Sequence, residues 1–202
     1  MAEQAVSEAP QRQAICSAAR QLFARYGYER VSLEEVAREA NMSRSGIYNY
    51  FRNKEDILKS VTNEIHARSH QQAQDAANSD ASVYERLRGV FKAKMVLPFS
   101  ELHGTPHGDS LTGRNMQVTD ELVRKWGADF VRLVASVLKS ADQAGEINLG
   151  GIDLTPDSAA SFLVLCSRGL KTSSSAQLTP REYQKRIDQL IRVGVAGFGG
   201  AV

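Results

Sequence analysis

The chain has 202 residues, which is enough for one or two small domains but short for an enzyme with a separate cofactor-binding fold. Hydrophobic residues make up 42% and charged residues 24% of the sequence, a globular composition that excludes wholesale disorder. The 25 Lys and Arg against 23 Asp and Glu give a formal net charge of +2. Any nucleic-acid-binding function must therefore come from a local motif.

Cysteine usage and the start of the chain indicate the compartment. Cys16 and Cys166 stand far apart and show neither a disulfide framework nor the ligand spacing of a zinc site. The first ten residues contain Glu3 and Glu8 and no apolar run, so we expect no secretory signal. No segment approaches the roughly 20 apolar residues that span a bilayer. We therefore expect a cytoplasmic protein.

Apolar side chains recur at three- and four-residue steps along the chain, which predicts an all-α fold. A first helix over about 11–26 precedes a second helix that begins at the capping box Ser32-Leu33-Glu34-Glu35 and runs through Ala40. Asn41 suits a left-handed turn, and Ser43 can cap a third helix that continues through Phe51.

The rest of the chain also reads as helices. The fourth helix becomes polar beyond Ala67, which indicates a connector rather than a buried core helix. A capping box at Ser82 opens a helix that Pro98 should stop, and residues 99–115 are predicted to form a loop with room for one turn of helix. Three longer helices follow, the last two opened by Thr155-Pro156 and Thr179-Pro180.

The second and third predicted helices, with a three-residue turn between them, form a helix-turn-helix whose second helix enters the major groove of DNA. Its leading turn, Ser43-Arg44-Ser45-Gly46, offers free amides and small side chains to phosphate. Tyr48, Tyr50 and Lys54 add phosphate donors, and Ser32 completes the candidate DNA contacts. The alternative is that Tyr48 only packs in the core and Lys54 is a solvated charge.

From about Gln11 to Leu58 the sequence resembles the TetR family of one-component transcriptional regulators. The densest similarity lies at residues 32–37 (SLEEVA) and 41–55 (NMSRSGIYNYFRNKE). The resemblance implies that Tyr48 and Lys54 hold phosphates, that Arg44 and Ser45 read base edges, and that Phe51 packs under the turn. Asn41 stands where many members have Gly, and it also tolerates the left-handed conformation.

The resemblance also implies an architecture of about nine helices, in agreement with the helical periodicity. We expect a three-helix helix-turn-helix DNA-binding domain over residues 10–60 and a helical ligand-binding and dimerisation domain over residues 61–202. In members of the family the last two helices pair with a second subunit. We therefore expect the apolar faces of these helices, including Leu190 and Ile191, to form a dimer interface.

The histidines form two pairs with four-residue spacing, His66/His70 and His103/His107. Because no Cys or carboxylate stands at a matching spacing, we expect no metal site, and exposed histidine pairs remain an alternative. The resemblance implies a ligand cavity with His66 and His103 as polar donors. Apolar walls would come from a set of four further residues, for which core packing is the alternative: Phe91, Trp126, Phe130 and Cys166.

Together these features predict a ligand-responsive transcriptional regulator without a cofactor or membrane partner. We expect a homodimeric repressor that binds a palindromic operator on double-stranded DNA and is released by a small-molecule inducer. The alternative is a DNA-binding regulator without a small-molecule ligand that is controlled by a protein partner. An enzyme is disfavoured, since the sequence lacks a nucleophile elbow, a Gly-rich phosphate loop and a clustered acid/base set.

Overall fold

The computed structural model describes residues 2–102, 105, 107, 120–172 and 178–201, and within these ranges the regular structure is helical, without strands. The all-α prediction is confirmed. The helices, labelled in chain order, are α1 (Ala2–Tyr26), α2 (Leu33–Glu39), α3 (Arg44–Tyr48), α4 (Lys54–Ala77), α5 (Val83–Phe91), α6 (Leu97–Leu102), α7 (Asp120–Gln143), α8 (Pro156–Thr172) and α9 (Pro180–Gly197). A π-helical turn, Lys92–Val96, joins α5 to α6, and a 3₁₀ turn, Gly150–Ile152, precedes α8.

The chain divides into two compact units. The N-terminal unit comprises Met1–Ile65 and Leu102–Val123, and the C-terminal unit comprises His66–Glu101 and Arg124–Val202. Each has its own apolar core, and α4 supplies side chains to both. None of the described helices is both long enough and apolar enough to cross a bilayer.

Hydrogen bonds at the helix ends confirm the predicted helix-turn-helix. The Ser32 N–H donates to Glu35 Oε2 at 2.7 Å, and the Glu35 N–H donates to Ser32 Oγ at 3.2 Å, which completes the capping box of α2. Asn41 has φ 54°, in the left-handed region. The Gly46 N–H donates to Ser43 Oγ at 3.0 Å and caps α3.

Two helix boundaries in the N-terminal unit differ from the prediction. Helix α1 begins at Ala2 rather than near residue 11, because Ala, Glu and Gln dominate residues 2–9 and favour helix ahead of Pro10. Helix α3 ends at Tyr48 rather than Phe51. The chain must turn before Asn53, whose side chain caps α4 by accepting from the Asp56 N–H at 2.8 Å.

Pro98 does not stop the helix that Ser82 caps, so this prediction is wrong. The chain widens into the π-helical turn and continues as α6, with Pro98 in the first turn. A wide turn fits this position, since proline has no N–H to donate to the preceding turn. The Ser82 box is also partial: Ser82 Oγ accepts from Glu85 N at 3.4 Å, while the Glu85 carboxylate accepts from Arg88.

The C-terminal half of α4 is part of a core, contrary to the expectation of a connector. Ala73 is fully buried and Ala77 nearly so, both in the core of the C-terminal unit. Their small side chains contribute little apolar signal to the sequence pattern, yet they let a neighbouring helix approach closely. On the same helix, the Ala76 Cβ lies 2.7 Å from where a Cβ on Gly89 of α5 would stand. Gly89 is therefore required by close packing of α4 on α5.

The substitution Gly89→Ala should lower the free energy of unfolding by about 1–2 kcal/mol, because its new methyl group overlaps Ala76 and forces two helices apart. Gly197→Ala in α9 is the matched control, since a Cβ there meets no atom within 4 Å. The control should be neutral or stabilising by up to about 1 kcal/mol, in line with helix propensity. Urea unfolding followed by circular dichroism measures both, and equal effects would contradict the α4–α5 contact.

Candidate DNA interface

The N-terminal end of α3 presents a polar, solvent-exposed surface. Ser43, Arg44, Ser45 and Tyr48 are all exposed, while Ile47 is fully buried beneath them in the core of the N-terminal unit. Ser43 Oγ lies 3.0 Å from Ser45 Oγ and also accepts the capping N–H from Gly46. The core-facing Ile47 therefore fixes which side of α3 faces outward, and that side carries four of the predicted DNA contacts.

Gly46 allows the tight capped turn at the start of α3. A Cβ at this position would lie 3.2 Å from Ser43 Oγ and 3.6 Å from Met42 Cε. A side chain there would crowd the hydroxyl that caps the helix. Gly46 thus keeps the leading turn of α3 open to a close-approaching partner.

Arg44 is held on the surface by two neighbours. Its Nη1 lies 2.6 Å from Glu34 Oε1 of α2. A hydrogen bond with Tyr48, followed by the charge of Glu34, raises the pKa of Arg44 above its ordinary value. Both groups orient the guanidinium along the outer side of α3, and its exposed ion pair with Glu34 is weak enough to exchange for another acceptor.

Ser32 caps the N-terminal end of α2. It is half-buried, and its Oγ donates to Glu35 Oε2 at 2.8 Å in addition to its capping bond. The Ser32 backbone N–H, and next its side chain, lower the pKa of Glu35 below its ordinary value. The DNA contact predicted for Ser32 would have to be made alongside these bonds.

Lys54 occupies a more internal position than the sequence suggested. Its ammonium donates to the carbonyl oxygens of Tyr28 at 2.7 Å, Val31 at 2.9 Å and Glu29 at 3.2 Å. It also lies 4.5 Å from the centre of the Tyr28 ring. An ammonium has three N–H donors, and in this arrangement they reach carbonyl oxygens of the loop before α2, so the phosphate contact predicted for Lys54 would have to be made alongside or in exchange for these bonds.

Tyr50 and Phe51 anchor the segment after α3. Phe51 is 3% exposed in the core of the N-terminal unit, and Tyr50 is half-buried against the same core. Arg12 of α1 donates to the Tyr50 carbonyl at 2.9 Å, and its guanidinium carbon lies 4.2 Å from the centre of the Phe51 ring. Arg12 therefore ties α1 to the end of the helix-turn-helix.

A cleft of about 630 Å³ lies beside this anchor. Its lining includes Tyr48 and Tyr50, together with the cations Arg12, Arg52 and Lys59, which the sequence reasoning did not select. One signal could have found them: residues 10–60 contain nine Lys or Arg and six Asp or Glu, so this segment is more basic than the rest of the chain. A locally basic surface of this kind suits a polyanion.

The residues predicted to line a ligand cavity fall into separate contacts in the C-terminal unit. The His66 and Trp126 rings stack with centroids 3.6 Å apart and planes inclined by 16°. Phe91 and Phe130 pack edge to face at 5.1 Å, both buried in the core. Cys166 is half-buried on α8. His103 lies outside the described residues.

The histidine pairs do not assemble with other metal ligands in the described part of the chain. No group of three or more His, Cys, Asp or Glu side chains there is arranged to hold a metal ion. His107 instead contributes its backbone N–H, which donates to the Ala24 carbonyl at 3.2 Å. Its ring nitrogen Nδ1 lies 3.2 Å from the Cβ position of Gly27.

Helix α3 is the second helix of the helix-turn-helix, and its capped start is exposed on the core of the N-terminal unit. A separate helical unit follows in the chain. These features define a helix-turn-helix DNA-binding protein. Residues 15–61 match the model of the bacterial regulatory proteins of the tetR family. The matched segment contains the helix-turn-helix and supports a TetR-type transcriptional regulator, and solved structures of transcriptional regulators share the fold of the chain.

Two curated relatives of Bacillus subtilis (strain 168) are similar over most of the chain. The uncharacterised HTH-type transcriptional regulator YhgD is 24% identical over 75% of this chain and 76% of its own length. The fatty acid metabolism regulator protein is 27% identical over 70% of this chain and 73% of its own length.

Solved structures share the fold. SmeT, the repressor of the Stenotrophomonas maltophilia multidrug efflux pump SmeDEF, superposes with a TM-score of 0.68 at 20% identity, covering 93% of this chain and 89% of SmeT. SmeT has also been solved in complex with triclosan. AibR, solved with isovaleryl coenzyme A and operator DNA, gives a TM-score of 0.60 at 19% identity, covering 89% of this chain and 97% of AibR.

Replacing Lys54 with Met should destabilise the N-terminal unit by about 1.5–3 kcal/mol, because three carbonyl oxygens lose a charged donor. The matched control is Lys59→Met on the same helix, where the ammonium is partly exposed and pairs with Glu55 at 2.8 Å. The control should leave the thermal midpoint nearly unchanged. Calorimetry without DNA distinguishes the two variants, and wild-type stability of Lys54→Met would refute the structural role of this ammonium.

Proposed function

We propose that the protein is a homodimeric, ligand-responsive repressor that binds a palindromic operator in the cytoplasm and is released by a small-molecule inducer. The observation that carries the proposal is the exposed, capped start of α3, which has the position and polarity of a recognition helix in a helix-turn-helix. In this proposal residues 10–60 form the DNA-binding domain and residues 61–202 form the ligand-binding and dimerisation domain.

The recognition step follows from the chemistry of α3. Free backbone amides at the first turn favour phosphate, and the hydroxyls of Ser43 and Ser45 add donors beside them. Arg44 would exchange its exposed pairing with Glu34 for the O6 and N7 atoms of a guanine. Tyr48, 48% exposed, would hold a phosphate at the edge of the groove.

Dimerisation is proposed on an apolar surface of the last two helices. Phe162 and Leu165 of α8 are 58% and 69% exposed, and Val193 of α9 is 71% exposed. Phe162 and Leu165 stand three residues apart on one helix face, and α8 packs against α9. Large exposed apolar side chains favour association, and a palindromic operator favours a second copy of this chain as the occupant.

This surface replaces part of the interface expected from the sequence. Ile191 is fully buried in the core of the C-terminal unit, and Leu190 packs partly against the same core. The sequence pattern predicts one apolar stripe on α9. In the structure, Ile191 of this stripe faces the core of the C-terminal unit, while Val193 faces solvent.

Ligand control is proposed to act through α4. This helix supplies side chains to the cores of both units, so a change in its position alters the DNA-binding unit. The complexes of SmeT with triclosan and of AibR with isovaleryl coenzyme A illustrate ligand binding by proteins of this fold. Within the described part of the C-terminal unit, buried polar atoms without a hydrogen-bonding partner favour a small-molecule ligand over control by a protein partner alone.

Arg44→Ala should reduce affinity for the preferred duplex about 10–100-fold, because a bidentate guanine contact is lost, while affinity for unrelated DNA falls far less. The preferred duplex is first selected from a random pool by wild-type protein. Titrations of selected and scrambled duplexes at several salt concentrations measure both effects. Arg181→Ala removes the same charge from an exposed position on α9 and should leave the preference intact. An equal loss on both duplexes would contradict base reading by Arg44.

Phe162→Glu or Leu165→Glu should convert dimers to monomers, since either substitution places a charge on the proposed apolar interface. The fold should survive, because both side chains are largely exposed, and circular dichroism verifies this. Ser136→Glu adds the same charge at an exposed position of α7 and should remain dimeric. Sedimentation equilibrium gives the masses; dimers in both α8 variants would remove this helix from the interface.

A further inference from the structure

Among the described residues of the C-terminal unit, four buried polar atoms lack a hydrogen-bonding partner, and two of these atoms stand on α4. They are Nδ1 of His66 and Oγ of Ser69, which stand three residues apart on α4 and therefore on one face of the helix. Ser69 is only 4% exposed. Buried polar atoms are nearly always hydrogen-bonded in proteins, so two such atoms on one face indicate a missing partner.

The half-buried cation Lys94 interacts with His66. Lys94 is half-buried, and within the described part of the chain its ammonium makes no ion pair or hydrogen bond. Burial lowers its pKa, against the opposing charge of Asp129. Asp129 itself is bound by Arg132. Asp129, which also pairs with Arg132, therefore offsets the burial of the Lys94 charge only in part, and an anionic ligand would offset it further.

His66 is close enough to Lys94 for their charges to interact. Burial, and next the charge of Lys94, lower the pKa of His66 to about 4. The imidazole is therefore neutral at pH 7 and offers one ring N–H as a donor. A neutral donor beside an ammonium suits a single negative charge, whereas a dianion would leave its second charge unpaired.

Three elements bring these groups together. His66 of α4 stacks on Trp126 of α7, and Lys94, which interacts with His66, stands on the π-helical turn. Such π-helical turns occur frequently at functional sites, because the extra residue redirects side chains. Phe91 lies one turn before Lys94, and Phe130 lies one turn after Trp126, and the two rings pack on each other. The buried Phe91–Phe130 pair therefore stands about one helical turn along the chain from Lys94 and from Trp126.

We propose that the C-terminal unit binds an organic monocarboxylate with an apolar body, its carboxylate paired with Lys94 and accepting hydrogen bonds from His66 and Ser69. The apolar body would lie along the Trp126 ring and extend toward the buried Phe91–Phe130 pair. This inference rests on the proposed function, because it names the chemical class of the inducer. Its distinguishing element is Lys94, which the sequence analysis did not select.

Trp126 provides a direct signal, since it is the only tryptophan in the chain. Purified full-length protein without DNA is titrated with octanoate, decanoate or phenylbutyrate while tryptophan emission is recorded. At least one acid should give a saturable change, and the corresponding uncharged amide should bind about tenfold or more weakly. Inorganic phosphate, which lacks an apolar body, should neither change the emission nor compete. No saturation by any acid, or equal binding of acid and amide, would overturn the proposal.

Lys94→Met tests the charge with little change in side-chain volume. It should weaken binding of the acid about tenfold or more and leave binding of the amide unchanged. Without ligand the variant should melt at or above the wild-type temperature, because an unpaired half-buried charge is removed. Lys92→Met, at an exposed position of the same π-helical turn, is the matched control and should bind the acid as wild type does. Equal losses in both variants would refute the specific role of Lys94.

The two proposals fail separately in these experiments. If wild-type protein selects a DNA duplex but shows no saturable response to the acids, the DNA-binding proposal is supported and the carboxylate site is refuted. If the acids bind through Lys94 but no duplex is selected, the carboxylate site is supported and the DNA-binding proposal is refuted. If both hold, the acid that saturates the emission change should also release the selected duplex from wild-type protein and require about tenfold more ligand with Lys94→Met.

Discussion

The ammonium of Lys54 is the interaction on which the geometry of the helix-turn-helix depends. It stands in the first turn of α4 and donates to three carbonyl oxygens of the loop between α1 and α2. That loop ends where the Ser32 cap starts α2, so one side chain sets the origin of α2 relative to α4. Helix α3 is only five residues long and could not hold its own position, since a helix of this length gains its stability from packing.

Arg12 complements this tie from the opposite side of the motif. Its hydrogen bond to the Tyr50 carbonyl and its contact with the Phe51 ring connect α1 to the segment that follows α3. With Ile47 and Phe51 buried, the outward face of α3 has little freedom to rotate. The exposed groups of the leading turn are thereby presented in a fixed orientation, which lowers the ordering cost of binding a duplex.

The polar groups that shape the helix-turn-helix are hydrogen-bonded, whereas several buried polar atoms elsewhere in the described residues are not. In the N-terminal unit, the capping hydroxyls and Lys54 all have partners within the fold. Within the described residues, the buried atoms without a partner are Gln11 Oε1 in the N-terminal unit and four atoms in the C-terminal unit: His66 Nδ1, Ser69 Oγ, Arg86 Nε and the hydroxyl of Tyr183. Burial raises the pKa of Tyr183 to about 12. Satisfied polar groups favour a rigid DNA-contacting surface. Unsatisfied ones leave hydrogen-bonding capacity for a bound molecule, as the proposed ligand site of the C-terminal unit requires.

The sequence by itself determined the helical class, the caps at Ser32, Ser43 and Thr179, and the left-handed turn at Asn41, because each depends on residues within a few positions of one another. Local patterns could not determine what distant segments would supply. Only the tertiary structure decided that Lys54 binds carbonyls 23 to 26 residues away, that Ile191 faces inward while Val193 faces outward, and that α4 remains in a core through its alanines. The same holds for Lys94, whose proposed role depends on its burial near His66 and Asp129. The sequence alone does not show which ammonium group will be desolvated.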